Sequence, residues 1–97
     1  MKLTNKQQKF LRAEAQTLKP IFQVGKNGVN PNLVTQVRDA LEARELIKIS
    51  ILQNCPEDTS VVAQKLSERS QSTLVQVIGF TIVLFKPAKK DSHYSLP

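Results

Sequence analysis

Gly25-Lys26-Asn27-Gly28 is the stretch whose residue types and spacing could do chemistry. Glycines at both ends of a four-residue loop let the backbone take positive φ and let another chain approach without meeting a Cβ. Between them, a lysine ammonium and an asparagine amide both donate hydrogen bonds to a phosphate oxygen. Asn30-Pro31 follows as a helix start. The free N–H groups and positive dipole end of that first turn favour an anion at the same place. The chemistry on offer is the holding of phosphate. A plain turn is the commoner account of two glycines at this spacing, so the rest of the chain has to decide between them.

Charge bears on it first. The 97 residues carry 14 Lys+Arg against 8 Asp+Glu, a net +6. The excess is uneven: residues 1–26 hold +5, residues 27–68 hold −2 and residues 69–97 hold +3. Such asymmetry points to a side that faces a polyanion. Lys6, Lys9 and Arg12 fall three apart and share one side of a first helix. With Lys19 and the loop residues Gly25, Lys26, Asn27 and Gly28, they form the set expected to face that polyanion. The plain alternative for the helix cations is the solvated face that any surface helix shows. Lys86, Lys89 and Lys90 are weaker candidates that could serve only solubility.

Catalysis finds little support. His93 stands alone near the end of the chain, and Cys55 sits alone beside a proline. Neither has the partners that a metal site or a nucleophilic triad needs. No GxxxxGK[ST] or GxGxxG motif occurs. The expectation is therefore no enzyme, no metal, no cofactor and no small-molecule substrate. One cysteine excludes an internal disulfide and fits a reducing compartment. No apolar stretch reaches the ~18 residues of a membrane span, and the N-terminus lacks the apolar core of a secretory signal. A cytoplasmic protein without a membrane partner is expected.

The elements that must position the loop read clearly. Thr4 and Gln7 form a capping-box pattern, and Phe10, Leu11, Ala15 and Leu18 make one apolar helical stripe that Lys19-Pro20 should end. Ile21–Val24 reads as a short buried strand. Asn30 and Pro31 start a second helix with Leu33, Val34, Val37, Ala40 and Leu41 on its inner face, running to about Arg44. Glu45–Ile51 alternates as a strand from Ile47 onward, and Asn54-Cys55-Pro56 breaks it. Glu57 and Asp58 open a third helix with Val62, Ala63 and Leu66 inside, fading near Ser70. Thr73–Ile78 and Ile82–Phe85 form a hairpin around Gly79-Phe80-Thr81. The order α-β-α-β-α-β-β predicts a two-layer α/β sandwich with a four-stranded mixed sheet. Residues 1–86 form the domain, and residues 87–97 form a basic polar tail expected to be loosely held.

Several of these segments together resemble one family. Leu3-Thr4-Asn5-Lys6-Gln7 with Leu11-Arg12 opens the chain, and Leu18-Lys19-Pro20 leads into Gln23-Val24-Gly25-Lys26-Asn27-Gly28. Glu45-Leu46-Ile47-Lys48-Ile49, then Val75-Gln76-Val77-Ile78-Gly79 and Val83-Leu84-Phe85-Lys86, complete the pattern. The chain is similar, over roughly residues 3–86, to the YhbY family, the single-domain form of the CRM (chloroplast RNA splicing and ribosome maturation) domain. Two positions depart from it: Asn5 stands where a glycine is frequent, and Phe85 where a tyrosine is common. The resemblance implies a sheet like the C-terminal domain of translation initiation factor three and a KH-like GxxG loop. It also implies a stand-alone bacterial RNA-binding protein associated with precursor large (pre-50S) ribosomal subunits, with ribosomal RNA as the partner.

RNA affinity would come mainly from phosphates. If ~4–6 are engaged, log K should fall with log salt at a slope of about −3 to −4 for single strands. The chain has no Trp. Tyr94 lies in the tail, and Phe10, Phe22 and Phe85 read as core, so stacking should add little; Phe80, at the hairpin turn, is the aromatic whose exposure the sequence leaves open. A monomer is expected. The competing readings are an adaptor that docks acidic proteins, and a splicing cofactor like the plant versions, whose CRM copies lie within longer polypeptides.

Overall fold

Thr4 starts the first helix as its side chain dictates. Its hydroxyl accepts from the Gln7 backbone N–H at 3.1 Å, while the Gln7 carboxamide accepts from the Thr4 N–H at 3.0 Å. This closes the capping box with Asn5 as the first helical residue. The computed structural model describes residues 2–88, 92 and 94–97; Lys89, Lys90 and His93 lie outside the described residues. α1 (Asn5–Ala15) ends four residues before the Lys19-Pro20 stop that the sequence suggests. The Gln16 and Leu18 N–H groups donate to the Ala13 and Ala15 carbonyls, each three residues earlier, at 3.2 and 3.0 Å. Such tightening closes a helix without a proline. It also returns Leu18 to the core and leaves Lys19-Pro20 as a connector.

The remaining elements are β1 (Phe22–Val24), α2 (Pro31–Arg44), β2 (Leu46–Ile51), α3 (Thr59–Arg69), β3 (Thr73–Ile78) and β4 (Thr81–Phe85). The sheet is four-stranded and mixed, in the order β1-β2-β4-β3. β1 lies parallel to β2, and β4 inserts antiparallel between β2 and β3. Strands β2 and β3, joined through α3, are therefore not neighbours. Thr81 belongs to β4, so the hairpin turn shrinks to Gly79-Phe80. Gly79 takes φ 54, and Phe80 is not among the residues of positive φ; these are the φ signs of a type II′ turn, whose first central position calls for glycine.

The two central strands explain the layering. Along β2 and β4, apolar side chains occupy both faces. Ile47, Ile49, Ile51, Ile82 and Leu84 meet Val37 and Leu41 of α2 and Val62, Ala63 and Leu66 of α3. Leu46, Val83 and Phe85 turn the other way and meet Leu11 and Ala15 of α1. Helices on one face could bury only half of these side chains. α2 and α3 thus make the expected sandwich with the sheet, and α1 forms a cover on its reverse face.

Where the composition suggests a loosely held tail, its described residues Ala88, Ser92, Tyr94 and Leu96 make contacts with the domain. Tyr94 and Leu96 pack against the α1-side core, and the Tyr94 ring meets Phe85 edge-on at 6.0 Å and 86°. The anchor is Glu45, which the sequence reads only as the start of β2. It caps α2 at φ 65 and is fully buried. Its carboxylate accepts from the Ala88 backbone N–H at 3.1 Å and from the Ser92 hydroxyl at 2.5 Å, and its carbonyl accepts from the Lys86 N–H. A buried carboxylate survives only with such partners. They hold a non-glycine residue in a strained backbone region.

Candidate nucleic-acid interface

The loop forms where β1 ends and α2 must begin. The Gly28 N–H donates to the Gly25 carbonyl at 2.9 Å, closing a four-residue turn. Neither central residue, Lys26 or Asn27, is among the residues of positive φ, which leaves the type I class. Gly28, at the last position, takes φ 60 and needs the freedom of glycine; Gly25 does not lie in that region. The two glycines thus do different work. A Cβ on Gly25 would stand 3.3 Å from Asn54 Oδ1 and 3.5 Å from Leu52 Cδ1. Gly28 is buried, with Glu57 Oε1 at 3.4 Å and Pro56 Cγ at 3.8 Å from the same construction.

Lys26 and Asn27 occupy the tip, both exposed. Among the described residues their backbone N–H groups have no hydrogen-bond partner. Asn30 caps α2, its Oδ1 accepting from the Leu33 N–H at 2.9 Å. A cleft of about 510 Å³ opens between the loop and the first turns of α2. Among the described residues its walls carry six carboxamides (Gln23, Asn27, Asn30, Asn32, Gln36 and Asn54), one cation, Lys26, and no carboxylate. Donors and acceptors in that mixture suit sugar hydroxyls, phosphate oxygens and base edges alike. Glu57, whose carboxylate lies against Gly28, is paired with the half-buried Lys65.

The other expected residues do not gather there. Lys6, Lys9 and Arg12 are exposed on α1, which packs across β2 and β3 on the reverse face. Arg12 lines a shallow cleft with Gln8 and Leu74–Val77 along β3, and the Gln8 carboxamide donates to the Val75 carbonyl at 2.8 Å. That edge lies three strand positions from β1, roughly 14 Å. Lys19 is exposed near the opposite end of β1, beside a small cleft with Arg44 and Lys48. The cations form separate outposts around the sheet, not one patch about the loop.

Sequence reasoning missed the second wall of the site. Asn54 reads as a strand breaker, and Leu52 draws no attention at all. They reach the loop because the Leu52 N–H donates to the Val24 carbonyl at 2.9 Å, extending the β1–β2 ladder past β2. Asn32 and Gln36 carried a usable signal: a helical spacing of four that puts them on one side of α2. Lys65 and Glu57 lie eight apart in sequence and meet only in the fold.

The family model described as the CRS1/YhbY (CRM) domain matches residues 3–86. Among relatives, the probable RNA-binding protein YqeI of Bacillus subtilis is 58% identical over 95 residues, covering 98% of this chain and 99% of that one. The solution structure of SAV1595 from Staphylococcus aureus superposes with a TM-score of 0.83 at 47% identity, covering 99% and 100% of the two chains. CRS2-associated factor 2, a chloroplastic protein of rice, is 30% identical over 95 residues, a match covering 98% of this chain and 16% of that longer protein. Sequence pattern, topology and full-length superposition agree, and the chain belongs to the CRS1/YhbY (CRM) domain family.

Proposed function

We propose that this protein binds RNA by gripping the sugar-phosphate backbone at Gly25–Gly28, and that its target is ribosomal RNA in precursor large subunits. The observation that carries the reading is the exposed loop tip, where Lys26 and two unpartnered backbone N–H groups stand over an amide-lined cleft without a carboxylate. Phosphate oxygens satisfy the N–H groups, Lys26 displaces counterions, and the carboxamides hold the sugar and base beside them. The relatives' names support RNA as the ligand class. Lys6, Lys9, Arg12 and Lys19 serve a longer RNA that passes from the loop to the sheet edges. Binding is non-catalytic and by a monomer in the cytoplasm.

The test is a titration of single-stranded and ribosomal RNA fragments across salt concentrations. A slope of about −3 to −4 in log K against log salt is expected, shallower by about 0.7 in Lys26→Ala. No RNA binding at moderate salt, or binding indifferent to Lys26, rejects the loop and leaves the adaptor for acidic proteins. Crosslinking in cells with sequencing of the bound RNA should recover large-subunit precursor sequences; recovery of unrelated transcripts rejects the ribosomal assignment.

A further inference from the structure

We propose that Phe80 is a stacking platform for an unpaired base of the RNA held at Gly25–Gly28, an inference that rests on the reading of the loop given above. Phe80 keeps 62% of its surface exposed, the most of the large apolar residues among the described residues, and Ile78 beside it keeps 59%. The type II′ turn presents it: at Gly79 even an added Cβ would meet nothing within 4 Å. A large aromatic ring left in water at a hairpin tip contributes nothing to either core cluster.

Its position gives the ring a partner. β1 and β2 run parallel, and β4 runs against them, so the β3–β4 turn and the glycine loop emerge at the same end of the sheet. Two consecutive hydrogen bonds tie them together. The Ile51 N–H donates to the Phe80 carbonyl at 2.6 Å, and the Leu52 N–H donates to the Val24 carbonyl at 2.9 Å. Leu52, 39% exposed, also abuts Gly25. Gly25, Leu52 and Phe80 therefore sit on neighbouring backbone segments at this end of the sheet, spanning two strand positions, roughly 10 Å. No charged residue lies between Gln76 and Phe85 to repel a nucleic acid or to compete for the ring. A strand whose phosphates sit on the loop brings its next bases to this end of the sheet, where an aromatic face accepts any base.

The experiment uses a fluorescein-labelled single-stranded RNA of about twelve nucleotides and an oligomer of equal length with abasic ribose throughout. Phe80→Ala and Phe80→Leu should weaken binding of the normal RNA at least about fivefold and leave the abasic oligomer unaffected. Phe80→Trp should restore affinity. Because the chain has no other tryptophan, its emission reports directly and should be quenched by the normal RNA only. Unchanged affinity in Phe80→Ala with unquenched emission in Phe80→Trp overturns the stacking role, as does an equal loss on both oligomers. Should Lys26→Ala still weaken both oligomers in that case, the loop reading stands and stacking alone falls. Failure of the unmodified protein to bind either oligomer removes both.

Discussion

At one end of the sheet Glu45 is fully buried and bonded on several sides, while at the other Lys26 and Asn27 stand in solvent with backbone donors unpaired. Both ends are strained, each holding a residue at positive φ. At the Glu45 end the strain is offset by hydrogen bonds that join α2, β4 and the tail. At the loop end it falls on Gly28, where it costs little, and the neighbouring donors of Lys26 and Asn27 stay in solvent. One end closes the fold and the other is kept open, so stability and binding should respond to different substitutions.

The sharpest way to break this division is charge reversal at the open end. Lys26→Glu should lower RNA affinity by at least about tenfold at moderate salt, since it exchanges an attraction to phosphate for a repulsion. The melting temperature should not move, because the side chain touches neither core. A drop in melting temperature equal to that of a core variant would show the ends to be coupled. At the closed end, Glu45→Ala should cost about 2–3 kcal/mol of unfolding free energy in urea, through the donors of Ala88 and Ser92 left without their acceptor. RNA affinity should be unchanged. Weakened binding in that variant at temperatures where it is still folded would bring the tail into the interface.

The glycines sharpen the comparison within the loop itself. From sequence the two glycines look equivalent. The structure separates them. At Gly28 a β-branched residue at φ 60 in a buried position costs about 2 kcal/mol and rebuilds the turn. Gly28→Asn, which tolerates this region, should recover most of the stability. Gly25→Ala meets only the ends of the Asn54 and Leu52 side chains, which can give way. It should stay within about 0.5 kcal/mol of the unmodified protein. Equal destabilisation by alanine at the two sites would contradict the turn described here.

What the sequence made legible was local. The Thr4 box, the Asn30-Pro31 start, the alternation of β2 and the GxxG spacing are signals within a few residues, and each element stands where these put it. What it hid depends on strand order. With β4 inserted beside β2, Phe80 comes to the loop's end of the sheet, α1 is assigned to the reverse face, and Glu45 meets a tail more than 40 residues away. Periodicity carries no information about which strand sits next to which. For the same reason it could not reveal that Arg12 and the loop lie at opposite edges.

Glu57 and Lys65 offer a smaller, electrostatic test of the open end. The Glu57 carboxylate lies against Gly28 through Oε1, and Lys65 pairs with its Oε2 and offsets its charge. Lys65→Ala should weaken RNA binding about two- to fivefold at low salt, and Glu57→Gln should undo the loss. The effect should vanish at high salt. Persistence there would mean that Lys65 touches the RNA itself.

The weakest expected effect probes the closed end by pH. Burial holds the Tyr94 hydroxyl above its ordinary pKa of 10.0, with the charges of Glu14 and Glu45 adding in the same direction. The folded protein therefore keeps this proton at pH values where the unfolded chain has already lost it. The associated stability is fully present below pH 10.0 and is lost as the pH rises through the folded-state value. Tyr94→Phe has no proton to lose. Its ring should keep the edge-on contact with Phe85, so the two proteins should differ by a constant amount at neutral pH and diverge only in alkali. Lysines titrate in the same range, but they are common to both chains and cancel in the difference. Melting temperatures compared from about pH 8 to about pH 11 should show the unmodified protein losing ground to the variant only at the alkaline end. A difference independent of pH would mean that the tail does not rest against Glu14 and Glu45, and that the end of the sheet described here as closed is open in solution.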